Sequence, residues 1–286
     1  MQQGMPSLTA LGAASHRAAH QKIEKGLIFR DPLAVRILGS HAGEAIREAE
    51  RNPSRRRMRL FIAIRTRFAE DLLDKAVAAG VRQLVVLGAG LDTYAYRNPH
   101  GNLRVFEVDH PATQAWKRER LAEAAIDVPA SLTFAPVDFE AQTLGAGLAD
   151  AGFDPALPTF FTWLGVVPYL TEPAVFATLD FMARLPGGAH VVFDYGNPPS
   201  PGDTADYAAA RDELARRVAA IGEELKTQFE TRELHARLGV LGFRYIEDLG
   251  PRQMRERYFP ANAGPVPERG GHVVRAATPG CPKTQS

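Results

Sequence analysis

The chain has almost no cysteine: Cys281 is the only one among its 286 residues. A single cysteine excludes an intramolecular disulfide and any zinc site built on several thiolates. We therefore expect no bound metal and a reducing, cytoplasmic compartment. The chain also lacks an uninterrupted apolar run of about 18 residues, and its first 19 residues contain no apolar signal core. We expect neither a membrane span nor a membrane partner.

An excess of charge of one sign is missing as well, because 34 Lys and Arg residues balance 33 Asp and Glu residues. A net charge near zero removes the long-range attraction to nucleic acid. One basic run, Arg51 to Arg59, has no aromatic residue among its arginines. We interpret this run as a solvated loop that leads into a helix, and we expect no nucleic-acid partner. A homo-oligomer remains compatible with this composition.

A regular alternation of short apolar runs and helical patterns begins near Leu60, where apolar residues recur at helical spacing. The predicted strands are Gln83–Leu87, Arg104–Val108, Leu132–Val137, Thr159–Trp163, His190–Asp194, Arg244–Asp248 and His272–Ala276. The predicted helices between them are Pro111–Ala125, Gln142–Ala151, Glu172–Leu185, Thr204–Leu225 and Thr231–Leu241. Strands that alternate with helices are typical of a parallel sheet covered on both faces. The proline-rich stretch Gly250–Gly271 shows no clear helix, which is compatible with an antiparallel last pair of strands.

The pattern predicts an α/β fold with a doubly wound, mostly parallel, seven-stranded sheet. The broken helices of residues 1–60 predict an α-helical N-terminal cap or lid, ahead of a core over residues 61–286. An insertion is predicted near residues 196–230. Since loops at the carboxyl ends of the strands surround the ligand cleft of such a sheet, we expect the cap and the insertion to form most of the substrate pocket.

A glycine-rich turn follows the first predicted strand, in the segment Gly88-Ala89-Gly90. Glycines at this place let a ligand approach the backbone closely. The dinucleotide fingerprint is not complete, because Thr93 stands where its third glycine belongs, and the Gly-Lys-Ser/Thr of a P-loop is absent. A nucleoside cofactor without a pyrophosphate fits this turn, and S-adenosylmethionine is the common one.

Acidic residues end the next two predicted strands. Glu107 and Asp109 lie about 20 residues beyond Gly88, where a carboxylate accepts hydrogen bonds from ribose hydroxyls. We favour Asp109 for the ribose, because it is nearer the end of the strand, with Glu107 in support. Asp138 and Phe139 follow the third strand and could hold the adenine. A helix N-cap at Asp138 is an equally good interpretation.

Together, these motifs resemble the leucine carboxyl methyltransferase family over about Ser7 to Tyr195. The segments that carry the resemblance are Ala63–Phe68, Gln83–Thr93, Phe106–Pro111, Val137–Phe139, Thr159–Trp163, Pro168–Glu172 and Phe193–Tyr195. The chain resembles the bacterial small-molecule branch more than the enzymes that methylate a protein C-terminus. The resemblance implies a class I S-adenosylmethionine-dependent O-methyltransferase with a Rossmann-like fold, a small-molecule substrate and a methyl acceptor that is a carboxylate or a hydroxyl.

The resemblance also implies roles for single residues. Arg65 is expected to pair with the methionine carboxylate of the cofactor, and the N-terminal Arg17 to reach the cofactor as well. The remaining cofactor residues expected from the motifs are Gly88, Gly90, Asp109, Glu107, Asp138 and Phe139. One position departs from the family pattern: Leu164 stands where many relatives have a glutamate near the positive end of the cofactor. We expect that contact to be missing here or to be made elsewhere.

No general base stands out in the sequence. A carboxylate acceptor is already ionised at pH 7 and needs none, whereas a hydroxyl would benefit from one. The candidates for a catalytic side chain are Tyr169, Tyr195 and His110. Two other functions stay open at this point, a methyltransferase of a protein C-terminal carboxylate and a non-catalytic nucleoside-binding module.

Overall fold

The computed structural model describes residues 7–139, 141–203, 205–220, 222, 224–259 and 266–282. The strands in this part of the chain are β1 (Gln83–Leu87), β2 (Arg104–Asp109), β3 (Leu132–Pro136), β4 (Thr159–Trp163), β5 (Ala189–Gly196), β6 (Tyr245–Leu249) and β7 (Gly271–Ala277). The α-helices are α1 (Leu8–Ile23), α2 (Ala34–Leu38), α3 (His41–Arg51), α4 (Arg56–Ala78), α5 (Pro111–Glu123), α6 (Leu144–Asp150), α7 (Glu172–Ala183), α8 (Ala205–Ala220), α9 (Thr231–Leu241) and α10 (Pro251–Tyr258). Three short 3-10 turns cover Pro53–Arg55, Tyr94–Tyr96 and Val167–Tyr169.

The strands form one seven-stranded sheet in the order β3-β2-β1-β4-β5-β7-β6. Neighbouring strands are parallel except at β7, which runs antiparallel to both β5 and β6. The strand order reverses between β1 and β4, where a ligand cleft opens at the carboxyl ends of the strands. The predicted doubly wound sheet and its antiparallel last pair are confirmed.

Both faces of the sheet are covered because successive side chains of each strand point to opposite sides. On one face, Val85 and Phe106 pack with apolar residues of α6, α7 and α9. On the other face, Val86 and Val105 pack against α4. The five residues of β1 are all buried, which explains why its apolar run does not alternate with polar residues.

One helix was not predicted. The structure forms α10 within the stretch that the sequence analysis reads as a loop. Pro251 occupies the first position of this helix, where a proline is favoured because the backbone N–H of that position has no intrahelical partner. The prolines of Gly250–Gly271 therefore include a helix start, and the expectation of a helix-free connection is wrong.

The N-terminal helices pack on one another and against the sheet-forming part of the chain. Ala14 and Ala18 of α1 share a small core with Ile37 and Leu38 of α2 and with residues of α5 and of the turn after β1. A helical N-terminal region is thus present, although the predicted boundary at residue 60 falls inside the continuous helix α4. The division into a cap and a core stays a prediction.

The arginine run that leads into α4 is not uniformly solvated. Arg59 is only 2% exposed, and its guanidinium donates to the Glu24 carboxylate at the end of α1, with Nε 2.8 Å from Oε2. The expectation of a solvated basic run is wrong for this residue.

In the described residues, no helix is both long and apolar enough to cross a membrane, and no group of three metal-ligating side chains is suited to hold a metal ion.

Candidate functional site

The glycine turn after β1 lies beside the point where the strand order reverses. Gly88 and Gly90 have φ angles of +64° and +42°, in the left-handed region that favours glycine. A Cβ atom at Gly88 would come within 2.4 Å of Val166 Cγ2, and one at Gly90 within 2.7 Å of Ala10 Cβ. Both positions require glycine for conformation and for space, because the loop after β4 and helix α1 lie directly on the turn.

Asp109 ends β2 and binds the glycine turn. Its Oδ2 atom accepts a hydrogen bond of 2.6 Å from Gly90 N, and its Oδ1 atom accepts one of 2.7 Å from His110 N. Burial raises the pKa of the Asp109 carboxyl, although both backbone donors oppose the shift. Since each carboxylate oxygen has two lone pairs, Asp109 retains the capacity to accept from hydroxyl groups while it fixes the turn.

Glu107 lies two residues earlier on β2 and is fully buried. Its Oε2 atom is 2.7 Å from Lys117 Nζ of α5 and 3.3 Å from the Tyr96 hydroxyl. Burial raises the pKa of Glu107 to about 7 against the opposing charge of Lys117. Contact of Glu107 with a cofactor stays a prediction, which this complete burial does not favour. The ion pair with Lys117 gives the residue a role inside the protein.

Arg65 extends from α4 toward the carboxyl end of β5. Its Nη1 atom donates to Asp194 Oδ2 at 2.8 Å, and Asp194 Oδ1 accepts from Gly165 N at 2.6 Å. The residue is 8% exposed, and its buried Nε atom has no hydrogen-bond partner among the described residues. A guanidinium with one unused buried donor fits a further anionic partner, such as the carboxylate expected from the family resemblance.

Arg17 fastens helix α1 to the glycine turn. Its Nη2 atom donates to the backbone oxygen of Leu91 at 2.5 Å, and its Nε atom is 3.6 Å from Asp31 Oδ2. Asp31 in turn accepts a hydrogen bond of 2.7 Å from the Thr93 hydroxyl. The sequence analysis did not include Asp31 among the residues that hold the glycine turn. Its position directly before Pro32, in the segment that follows Arg17, was the available signal.

Asp138 and Phe139 follow β3 at the same edge of the sheet. Phe139 is 60% exposed, so its ring is accessible to a planar ligand. The backbone oxygen of Asp138 accepts hydrogen bonds from the next turn of chain, and α6 begins only at Leu144, with Thr143 as its N-cap. The alternative interpretation of Asp138 as a helix N-cap is therefore wrong, and its role toward adenine stays a prediction.

The catalytic candidates Tyr195 and His110 have polar atoms engaged within the protein. The Tyr195 hydroxyl donates to Asp248 Oδ2 at 2.6 Å and lies 3.0 Å from Thr231 Oγ1. Burial and the nearby Asp248 raise the pKa of Tyr195. His110 is the N-cap of α5, with Nδ1 accepting from Ala112 N at 3.2 Å. Tyr169 ends the 3-10 turn after β4 and is partly buried.

Leu164 lies just beyond β4, where it packs against apolar residues of the α4 side of the sheet. It lines a narrow crevice together with Glu70, Asp92 and Tyr94. Glu70 forms an ion pair with Arg97, whose Nη1 atom is 2.7 Å from Glu70 Oε2. Carboxylates of other elements thus lie beside Leu164, at the position where the family resemblance implies a glutamate.

We expect Arg65→Lys to weaken binding of S-adenosylmethionine at least several-fold in isothermal titration calorimetry. Lysine retains the charge but cannot pair with two carboxylates through a planar guanidinium. Arg56→Lys is the matched control, because Arg56 begins the same helix with its side chain 59% exposed. Equal losses in the two variants would remove Arg65 from the cofactor site.

Comparison with known proteins identifies the family of the chain. The family model for leucine carboxyl methyltransferase matches residues 10–183. YktD of Bacillus subtilis strain 168, assigned as an S-adenosyl-L-methionine-dependent methyltransferase, is 32% identical over 286 residues, covering 91% of this chain and 93% of the relative. A protein of Frankia alni with the same assignment is 40% identical over 185 residues, covering 62% of this chain and 64% of its own.

Two solved structures share the fold. A DUF574 family protein from Streptomyces avermitilis superposes with a TM-score of 0.54 at 17% identity, covering 93% of this chain and 97% of that one. A protein of Thermobifida fusca, assigned as a methyltransferase, gives 0.51 at 15% identity, covering 97% and 96% of the two chains. With the family model matching more than half of its residues, the chain belongs to the leucine carboxyl methyltransferase family.

Proposed function

We propose that this S-adenosylmethionine-dependent methyltransferase methylates an oxygen atom of a small organic molecule, and that this oxygen belongs to a carboxylate. The observation that carries the choice of acceptor is the engagement of two candidate bases, Tyr195 and His110. The Tyr195 hydroxyl is bound to Asp248, and His110 Nδ1 accepts a backbone hydrogen bond. A carboxylate is ionised at pH 7 and reacts without a base, whereas a hydroxyl acceptor would need one of these groups to be available.

The residues present fit the cofactor. When bound, S-adenosylmethionine supplies a methyl group already activated on a sulfonium. Arg65 offers its unpartnered Nε atom to an anionic group, and Asp109 offers carboxylate lone pairs to hydroxyl groups. Gly88 and Gly90 keep the turn free of side chains. Because the methyl group is already activated, the protein has to align the acceptor oxygen with it and exclude water. This is catalysis by proximity and orientation.

The proposal is tested by incubating the protein with cofactor carrying a tritiated methyl group and a panel of carboxylic acids, phenols and a peptide with a free C-terminus. We expect label in the carboxylic acids that mild alkali releases, because methyl esters hydrolyse and methyl ethers do not. Alkali-stable label in phenols would overturn the carboxylate acceptor. Label in the peptide alone would favour protein carboxyl methylation, and binding of cofactor without transfer to any acceptor would favour a non-catalytic module.

A further inference from the structure

A cavity of about 200 Å³ lies between α1, α3, the 3-10 turn Pro53–Arg55 and α8. One wall is apolar and includes Leu11 and Ala49, and the other carries charged and polar groups. We call it the arginine pocket and define it by Leu11, His16, Glu48, Ala49, Arg55 and Arg217. Its walls come from the N-terminal helices and from the insertion near residues 196–230, the two segments that the sequence analysis expects to form the substrate pocket.

The charges of the arginine pocket are not balanced. Arg55 Nη1 pairs with Glu48 Oε1 at 2.5 Å, whereas the Arg217 guanidinium has no hydrogen bond or ion pair with any described residue. Burial and the neighbouring Arg55 lower the pKa of Arg217. Burial, followed by the charge of Arg217, lowers the pKa of His16 to about 4, so this imidazole is neutral at pH 7. The charges of Glu213 and Glu48 oppose the lowering of the Arg217 pKa, but neither carboxylate pairs directly with Arg217, so an anionic ligand would supply a direct partner and relieve the repulsion between the two guanidinium groups.

The size and the lining of the pocket narrow the class of ligand. An apolar cavity of roughly 150 Å³ is large enough to bind benzene, so this one has room for a ring or a short acyl chain. Guanidinium groups bind carboxylates through paired hydrogen bonds. A pocket with apolar walls and a few convergent polar groups is typical of sites for small organic molecules. The volume, the apolar walls and the guanidinium groups together indicate that the ligand is a small amphipathic acid.

The position of the pocket relates it to the cofactor cleft. Helix α1 turns Ala10 and Arg17 toward the glycine turn and Leu11 toward the pocket. Arg65 is close enough for its charge to contribute to the lowered pKa of His16, and Tyr169 is close enough to act on Arg217. Neither Arg65 nor Tyr169 lines the pocket, so the pocket lies near these two residues without direct contact, and α1 stands between it and the glycines.

We propose that the arginine pocket holds the methyl acceptor by an anionic group, with Arg217 and Arg55 on a carboxylate and Leu11 and Ala49 against an apolar body. Because α1 separates the pocket from the glycine turn, the anchored carboxylate is distinct from the accepting oxygen. The acceptor is then an acid with two oxygen-bearing groups, one anchored and one methylated. The identification of this acid as the acceptor rests on the proposed function, whereas the binding of small acids in the pocket does not.

The first test measures binding of benzoate to the full chain by calorimetry without cofactor, with benzamide as its uncharged counterpart. We expect benzoate to bind at least tenfold more tightly than benzamide, and Arg217→Gln to remove that preference. Arg216→Gln is the matched control, because Arg216 adjoins Arg217 on α8 but is 74% exposed and paired with Glu213. Equal affinities for the two probes, or equal losses in the two variants, would overturn the pocket.

A second variant, Gly12→Leu, tests the arginine pocket without removing a charge. Gly12 lines the cavity, and a Cβ atom there would meet no atom within 4 Å. Gly12→Leu should fill the pocket and also favour the helix, since leucine is a better helix former than glycine. We expect a protein with an unchanged or higher melting temperature that no longer binds benzoate. Unchanged benzoate binding in Gly12→Leu would contradict the proposal.

A kinetic measurement separates the pocket from the proposed function. With an acid acceptor identified by methyl transfer, Arg217→Gln should raise its KM at least tenfold and leave the Kd of S-adenosylmethionine unchanged. Benzoate binding without methyl transfer to any acid would uphold the pocket as an acid site and overturn the proposed function. Methyl transfer with an unaltered KM in Arg217→Gln would uphold the function and overturn the pocket as the acceptor site.

Discussion

Replacing Glu107 with alanine should lower the free energy of unfolding by about 3–5 kcal/mol, as expected when one partner of a buried ion pair is removed. The variant would leave Lys117, which is 1% exposed, charged and without its carboxylate in the core. The loss would appear in urea unfolding followed by circular dichroism. It would arise from the uncompensated charge and not from the loss of a ligand contact.

Two control variants show whether the loss of stability in Glu107→Ala comes from the buried ion pair. Glu119→Ala removes an exposed carboxylate from the same helix that carries Lys117, and we expect a change within about 0.5 kcal/mol. In the double variant Glu107→Leu, Lys117→Met both charges are absent, so we expect a smaller loss than in Glu107→Ala. Comparable losses for Glu107→Ala and Glu119→Ala would show that the pair is not buried in solution.

Asp109→Ala should weaken the binding of S-adenosylmethionine by about 1.5–3 kcal/mol, the range of hydrogen bonds to charged groups. This corresponds to roughly 10- to 150-fold in the dissociation constant. The substitution removes the carboxylate expected to bind the ribose and frees the Gly90 N–H that this carboxylate holds at 2.6 Å. Calorimetric titration of the folded variant measures the effect.

The control for Asp109 is Asp127→Ala, which removes an exposed carboxylate beyond the end of α5. We expect cofactor affinity in this variant to equal that of the unaltered chain. A folded Asp109→Ala protein with full affinity would exclude the residue from the cofactor site, and the exposed edge near Phe139 would become the first alternative place to search for the nucleoside.

Much of the fold follows from local patterns. The bounds of β1, β4 and α9 agree with those predicted, because short buried runs rich in β-branched or aromatic residues indicate strands and a sustained helical period indicates a helix. Helix α10 was missed since proline both starts helices and interrupts them, and only the packing of Met254 into the core distinguishes the two cases.

The site is harder to predict, because its electrostatics depend on partners that are distant in the sequence. Arg65 pairs with Asp194, which lies 129 residues further along the chain. Lys117 carried a local signal, since it falls four residues after Thr113 and four before Leu121 on the buried face of α5. The sequence carried a weaker signal for the arginine pocket, because Arg55 and Arg217 belong to segments that only the folded chain brings together.

Helix α1 contacts the glycine turn with one face and the arginine pocket with another. A movement of α1 that favours binding of one ligand would therefore change the affinity of the other site for its ligand. By thermodynamic linkage, the effect on affinity is mutual. If a bound acid changes the affinity for the cofactor by some factor, the cofactor changes the affinity for the acid by the same factor. If the arginine pocket holds the proposed acid, a rigid helix shared in this way would give the acid and the cofactor a means of cooperative binding without direct contact between them.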